Sequence, residues 1–219
     1  MANKPKTFIL GHSIVRRLHE YMQSKHDPRV SSDFHLSKTV SVHMKGIGGL
    51  RVHSLLAKGS HNLLGSVMLD HMDADVVILQ LGGNDFANGD DADTFAVKLL
   101  ALASLIRGRF NVKLVIVGSV LPRFVSARPS PHGRNSEQAQ NYCVWAQAVN
   151  ELHFHARTTT GVLVWKHARF TFPSESMPGC RQLMAADGVH LSKQGQYRLF
   201  KSLRGALING VHRLSAMQA

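Results

Sequence analysis

Cysteine is scarce in this 219-residue chain, which contains only Cys143 and Cys180. Two cysteines are too few for a disulfide framework, and these two do not form a metal-ligand pair. We therefore expect no bound metal, and no motif in the chain indicates a cofactor. A single disulfide and two separate thiols both stay open, and thiols are the expectation for a reducing compartment.

Long apolar runs are also missing. No window approaches the ~20 apolar residues of a membrane span. The segment Met1–Lys6 leads at once into a strand-like run, which leaves no room for an apolar leader. With 44% hydrophobic and 18% charged residues, the composition is that of an ordinary globular protein and excludes a disordered one. We expect a soluble, cytoplasmic protein without a transmembrane segment.

Acidic residues are the third scarce class. The chain has 14 Asp and Glu against 26 Lys and Arg, a formal net charge of +12. Between Asp93 and Glu137 there are seven basic residues and no acid. Such an imbalance favours phosphate-rich partners or anionic surfaces, although a generally basic surface without a dedicated groove explains it equally well. Aromatic residues make up 7%, which argues against recognition of nucleic acid by base stacking.

What the chain does contain is a regular alternation of strand-like and helix-like segments. Apolar or β-branched runs predict strands at Thr7–Leu10, Thr39–Met44, Asp75–Leu81, Val112–Gly118 and Gly161–Trp165. Helical segments are predicted over 14–25, 50–57, 92–107, 137–156 and 192–210. This order predicts a parallel, doubly wound α/β sheet with right-handed crossovers. Because the chain shows no internal repeat and no linker, we expect residues 1–219 to form one domain.

The first predicted strand is followed by Gly11-His12-Ser13. Gly11 permits a sharp turn, and Ser13 opens a helix in which Ile14 and Leu18 recur at helical spacing. A serine here lies at the carboxyl end of a strand, where open α/β sheets bind ligands, with a helix amino terminus behind it. A serine at this position is also a common helix cap. On this stretch alone, both roles for Ser13 stay open.

Three further segments place glycine, amide or charged residues beside predicted elements. They are Gly46-Ile47-Gly48-Gly49, Leu81-Gly82-Gly83-Asn84-Asp85 and Asp187-Gly188-Val189-His190. Each segment alone is a weak signal. The first matches no phosphate-binding fingerprint, and the second is a common type of turn at the end of a strand. An exposed Asp–His pair would explain the third. A three-residue offset nevertheless allows Asp187 to fix the imidazole tautomer while His190 faces a nucleophile.

Taken in chain order, these four pieces resemble the SGNH (GDSL-like) hydrolase family, whose named residues are Ser, Gly, Asn and His. The resemblance covers nearly the whole chain, from Thr7 to about Leu207. It implies a three-layer α/β/α fold with a five-stranded, parallel, flavodoxin-like sheet.

The resemblance also implies a role for each matching residue. Ser13 would be the nucleophile, His190 the general base, and Asp187 the residue that orients the imidazole. The oxyanion hole would be formed by the N–H groups of Ser13 and Gly49 and by the side-chain amide of Asn84. A serine hydroxyl is a poor nucleophile until a neighbouring imidazole accepts its proton, and fixed donors beside the developing oxyanion stabilise the tetrahedral intermediate.

The sequence departs from the family at His12, because the first block of the family usually has Asp before the serine. Adjacent side chains in an extended segment point in opposite directions, so we do not expect His12 to act as the base. We expect a structural substitution at this position.

Two finer resemblances accompany the first. The stretches Gly46–Gly49 and Leu121–Arg123 look like those of the platelet-activating-factor acetylhydrolase branch. The stretches Gly11–Ser13, Asp75–Asp85 and Gly195–Leu199 are similar to SGNH domains encoded by certain animal retrotransposons. The second likeness implies one domain of a longer protein that meets RNA or DNA.

Two functions follow as expectations. The first is a serine esterase that hydrolyses small, acetyl-like carboxylic esters through a seryl acyl-enzyme. The second is a catalytically weak or inactive domain that acts as a basic module for nucleic acid or anionic lipid. The second function would use Arg123, Arg128 and Arg134, which are predicted to lie on a long surface loop from Pro122 to Asn135.

Overall fold

The computed structural model describes residues 4–24, 27–57, 62–127, 135–156, 161–174 and 179–218. The strands are β1 (Lys6–Gly11), β2 (Ser41–Gly46), β3 (Val76–Gln80), β4 (Leu114–Gly118) and β5 (Val162–Trp165). The α-helices of these ranges are α1 (Ser13–Gln23), α2 (Val52–Leu56), α3 (Leu63–Met68), α4 (Ala92–Phe110), α5 (Ser136–His155) and α6 (Lys193–Gln218). Short 3₁₀ turns lie at Leu69–His71, Asp85–Asn88 and Arg181–Leu183.

The strands form one parallel sheet in the order β2-β1-β3-β4-β5. In this sheet Ile9 of β1 pairs with Met44 on one side and with Ile78 on the other. The order is that of flavodoxin-like sheets, in which the strand order reverses beside β1 and opens a crevice at the carboxyl ends of the strands. The predicted fold class is confirmed. That residues 1–219 form one domain stays a prediction.

Both faces of the sheet are covered, which explains the continuous apolar runs of its central strands. On one face, Phe8 and Leu10 of β1 pack into the core that includes helices α2, α3, α4 and α5. On the other face, Ile9 and Ile78 pack with the apolar sides of α1 and α6. The result is the three-layer arrangement that the resemblance implied.

Two differences from the predicted elements have simple causes. The helix α3 was not predicted, because a six-residue helix containing Gly65 leaves little periodic signal, and it is capped by the side chain of Asn62, which accepts from the Gly65 N–H. Strand β2 runs to Gly46, two residues further than expected, because it is a partly exposed edge strand with few apolar residues.

The structure also bears on the two cysteines and on the lack of long apolar runs in the sequence. Cys143 and Cys180 are both buried as thiols, so the disulfide alternative is not realised. Within the described ranges, no helix combines the length and apolar character needed to cross a bilayer.

Candidate active site

The turn between β1 and α1 places Ser13 at the carboxyl edge of the sheet. A Cβ atom on Gly11 would lie 2.3 Å from Cγ2 of Val15 and 2.7 Å from the carbonyl oxygen of Gln80, so the turn accepts only glycine there. The carbonyl of Gly11 accepts a hydrogen bond of 2.9 Å from the N–H of Ile47, which brings the glycine-rich loop after β2 against this turn. Ser13 is the first residue of α1, where backbone N–H groups have no partner within the helix.

His12, and not Ser13, caps helix α1. Its Nδ1 accepts from the N–H of Ile14 at 3.3 Å, which leaves the proton of the neutral ring on Nε2. Burial, with smaller contributions from the positive charges of Arg123 and protonated His190, lowers the pKa of His12 to about 3. His12 is therefore neutral and structural, and the Ser13 hydroxyl is left for another contact.

The turn from Asp187 to His190 holds its own two side chains together. The Oδ1 atom of Asp187 accepts from the N–H groups of Val189 and His190, both at 2.9 Å, and Oδ2 lies 2.7 Å from Nδ1 of the imidazole. Burial raises the pKa of Asp187, but these hydrogen bonds outweigh it and bring the pKa down to about 2. Gly188 (φ +69°) accepts from the N–H of Phe124 at 2.8 Å, which anchors the turn to the segment after β4.

The imidazole of His190 reaches Ser13. Its Nε2 lies 3.2 Å from the Oγ atom of Ser13, although 176 residues separate the two in the chain. Burial lowers the pKa of His190, the hydrogen bond with Asp187 opposes that effect, and the charges of Arg17 and Arg123 add to it. The ring is therefore neutral at pH 7, with its proton on Nδ1 against the carboxylate and with Nε2 facing the Ser13 hydroxyl as a hydrogen-bond acceptor.

Asn84 lies beside the glycine-rich loop. Its Nδ2 donates to the carbonyl of Leu50 at 3.2 Å, and its Oδ1 accepts from Nη2 of Arg123 at 3.2 Å. Gly49 has φ +73° and open space around its Cα, and its N–H donates to no group among the described residues. The structure thus brings the predicted Asn84 and Gly49 into neighbouring positions.

Asp85 joins these two loops and was not singled out from the sequence. It is 2% exposed, and its Oδ1 accepts at 2.7 Å from the N–H of Val52 at the start of α2. Burial raises the pKa of this carboxyl. The carboxyl links the loop that contains Asn84 to the segment that follows Gly49, a contact between distant segments that a turn-forming Asn-Asp pair does not reveal.

The prediction of an exposed basic loop is wrong for Arg123. The residue is 7% exposed, and its guanidinium lies over the ring of Tyr142, 5.0 Å from the ring centre. The physical reason is that the chain after β4 continues under α5, where the Tyr142 hydroxyl donates to the carbonyl of Leu121 at 2.9 Å. The other two residues of that prediction, Arg128 and Arg134, lie outside the described residues. The apolar run before Arg123 was the available signal of burial.

The five-stranded parallel sheet carries Ser13, His190 and Asp187 at its carboxyl edge, where consecutive hydrogen-bond contacts link them, as the resemblance to the SGNH hydrolases implied. The chain belongs to the GDSL-like lipase/acylhydrolase family, whose sequence profile matches residues 9–198. No curated protein sequence matches the chain.

Solved structures support the fold at low sequence identity. A carbohydrate acetylesterase family member from Sinorhizobium meliloti is 14% identical, with a TM-score of 0.66 over 95% of this chain and 99% of that one. A carbohydrate esterase family 3 protein from Talaromyces cellulolyticus is 18% identical, with a TM-score of 0.62 over 95% and 99%. A GDSL-like lipase from Bacteroides thetaiotaomicron is 16% identical, with a TM-score of 0.60 over 95% and 88%.

Proposed function

We propose that this esterase-like hydrolase cleaves small, acetyl-like carboxylic esters through a seryl acyl-enzyme, with Ser13, His190 and Asp187 as its catalytic residues. The observation that supports this proposal is the continuous chain of contacts from the Ser13 hydroxyl through the imidazole to the carboxylate, at 3.2 and 2.7 Å. The choice of a short acyl group is supported by the acetyl esterases that share the fold.

In the first half of the reaction, Nε2 of His190 accepts the proton of Ser13 as Oγ attacks the ester carbonyl. Asp187 keeps the other imidazole proton on Nδ1 and stabilises the imidazolium that forms. The developing oxyanion receives hydrogen bonds from the N–H groups of Ser13 and Gly49 and from Nδ2 of Asn84, and losing one such donor typically costs about 10²–10³ in rate.

In the second half, the tetrahedral intermediate collapses, and the imidazolium of His190 gives its proton to the leaving alcohol. The acyl group is then bonded to Oγ of Ser13. Water enters, His190 accepts its proton, and the same donors stabilise the second oxyanion. Collapse of this intermediate releases the carboxylic acid and returns the proton to Ser13.

Replacing Ser13 by alanine tests the proposal. We expect Ser13→Ala to lower the rate of p-nitrophenyl acetate hydrolysis by about 10³-fold or more, because the acyl-enzyme cannot form. A fluorophosphonate should label the wild-type protein at Ser13, as mapped on its peptides. The matched control is Ser104→Ala, which removes an exposed serine of α4 and should leave both readouts unchanged. Equal rates for wild type and Ser13→Ala would end the proposal.

The binding-module alternative and the likeness to retrotransposon domains stay predictions. Of the three arginines on which the alternative depended, Arg123 is buried, and no contact among the described residues favours nucleic acid. Binding of single-stranded RNA that weakens steeply with salt would revive the alternative. If single-stranded RNA does not bind detectably at low ionic strength, the binding-module alternative is ruled out.

A further inference from the structure

Arg123 is a buried cation at the edge of the proposed oxyanion hole. It is 7% exposed, and its guanidinium is held between the ring of Tyr142 and the side chain of Asn84. The ring is itself fixed, because its hydroxyl donates to the carbonyl of Leu121 at 2.9 Å. A guanidinium held from one side by a fixed ring can present its N–H groups to Asn84 in only a narrow range of directions.

The two contacts of Asn84 specify which way its amide faces. A guanidinium can only donate and the carbonyl of Leu50 can only accept, so Oδ1 must face Arg123 and Nδ2 must face Leu50. A flipped amide would put N–H against N–H and oxygen against oxygen. In the observed orientation, one Nδ2 hydrogen is used by Leu50 and the second is available to a substrate.

We propose that Arg123 is a positioning residue of the oxyanion hole, which fixes the amide of Asn84 with its donor toward the substrate and polarises that amide with its charge. This inference rests on the proposed function, since it assigns Asn84 the role of an oxyanion donor. A hydrogen bond from a cation to Oδ1 draws electron density from the amide and makes its N–H groups stronger donors.

The same charge also acts on the imidazole of the proposed base. Arg123 is among the groups that lower the pKa of His190, after burial and the charge of Arg17. Loss of Arg123 should therefore have two separate effects. It should lower kcat, because Asn84 is no longer held in place, and it should raise the pKa of His190, so that the enzyme becomes active at a higher pH.

The experiment compares Arg123→Met and Arg123→Lys with wild type on p-nitrophenyl acetate. We expect Arg123→Met to lower kcat about tenfold to a hundredfold with KM within about twofold, because the lost interaction stabilises the oxyanion more than the ground state. The acid limb of its pH profile should move to higher pH. Arg123→Lys should keep the acid limb of wild type and lose less kcat, since it keeps the charge but not the planar contact. The matched control is Arg109→Met, which removes an exposed arginine near the end of α4 and should change neither readout.

A double-mutant cycle with Asn84→Ala shows whether Arg123 acts through Asn84. In the Asn84→Ala background, Arg123→Met should lower kcat by less than about twofold, because the amide that it positions is absent. Equal losses in both backgrounds would overturn the inference and indicate that Arg123 acts on its own. So would an unchanged kcat in Arg123→Met.

Folding is checked by thermal unfolding and by near-ultraviolet circular dichroism. If Arg123→Met does not fold, the same cycle with Arg123→Lys decides, with an expected loss of about threefold to tenfold that again disappears in the Asn84→Ala background. Failure of the proposed function looks different, because wild type itself would then neither hydrolyse the ester nor be labelled at Ser13, and both proposals would fall. An active, labelled wild type with an additive cycle removes the inference alone.

Discussion

His12 and His190 are neutral imidazoles in the same site that hold their protons on opposite nitrogens. The Nδ1 atom of His12 accepts from the N–H of Ile14, so its proton is on Nε2. The Nδ1 atom of His190 faces the carboxylate of Asp187, so its proton is on Nδ1. The neighbouring group thus decides which ring caps a helix and which can accept a proton. The cap formed by His12 also explains how a histidine can stand where the family usually has Asp, since either side chain can accept a hydrogen bond from an N–H group at the start of α1.

The pH dependence of the proposed esterase should depend on Arg17. The positive charge of Arg17 lowers the pKa of His190, so removing it in Arg17→Gln should raise that pKa. Because only the neutral imidazole accepts a proton, kcat/KM rises as pH increases through this pKa, and the acid limb of Arg17→Gln should lie at higher pH than that of wild type. The profile of kcat/KM against pH measures the shift.

Arg16→Gln is the matched control for Arg17→Gln. Arg16 precedes Arg17 in α1 and pairs with Glu20 at 3.6 Å, whereas the largest charge effects on the pKa of His190 come from Arg17, Asp187 and Arg123. Its acid limb should coincide with that of wild type. An unmoved limb in Arg17→Gln, or equal shifts in both variants, would contradict the assignment of His190 as the base.

The site depends on how closely the turn before α6 packs against the segment after β4. A Cβ atom on Gly188 would lie 2.1 Å from the carbonyl oxygen of Phe124. The same turn is held from its other side, because the N–H of Ala185 donates to the carbonyl of His190 at 2.7 Å. The turn therefore cannot move away from Phe124 without moving the imidazole.

Gly188→Ala should lower kcat about tenfold to a hundredfold, because relief of the clash displaces Asp187 and His190 from Ser13. Gly89→Ala is its matched control. Both glycines have a positive φ, +69° and +78°, but a Cβ on Gly89 meets nothing within 4 Å. Both variants should lose about 1–2 kcal/mol of stability to backbone strain, Gly188→Ala should lose more because of the clash, and only Gly188→Ala should lose activity. Urea unfolding and p-nitrophenyl acetate kinetics measure the two effects, and equal kcat values in the two variants would refute this account.

The order of the elements could be predicted from the sequence because the central strands of a parallel sheet are buried on both faces and appear as apolar runs. Ser13, Asn84 and the Asp187–His190 turn could be assigned to one edge because each borders a predicted element at that edge. The apolar run before Arg123 indicates burial, but its contacts with Tyr142 and Asn84 could not be predicted, since both partners belong to other segments of the chain. Asp85 was missed for the same reason, because its partner is the N–H of Val52 in a distant helix.

Two histidines outside the proposed catalytic contacts, His153 and His167, are also buried in the described part of the chain. His167 is 2% exposed, with Nε2 at 2.6 Å from Oε1 of Gln80 and Nδ1 at 2.8 Å from Oγ of Ser202. This network joins the carboxyl end of β3 to α6 through the segment after β5. Burial lowers the pKa of His167 to about 4 and also lowers the pKa of His153. His12, His153 and His167 are therefore harder to protonate in the folded chain than an exposed histidine is.

The free energy of unfolding should therefore fall as pH decreases below 6.5. In the unfolded chain a histidine binds its proton near pH 6.5, whereas in the folded state His12 and His167 bind theirs only near 3 and 4. Between these values the unfolded state holds more protons, so acid favours unfolding, by about 2 kcal/mol for each of these two rings at about pH 5. Urea unfolding at about pH 7.5 and pH 5 measures the difference. Glutamine keeps a hydrogen-bonding group at this position, although His167→Gln should still be less stable than wild type at the higher pH. Because glutamine binds no proton, the variant should lose about 2 kcal/mol less free energy of unfolding than wild type when the pH is lowered. His155→Gln, at an exposed position of α5, should lose as much as wild type. Equal losses in His167→Gln and wild type would mean that His167 does not contribute to the acid sensitivity of the fold.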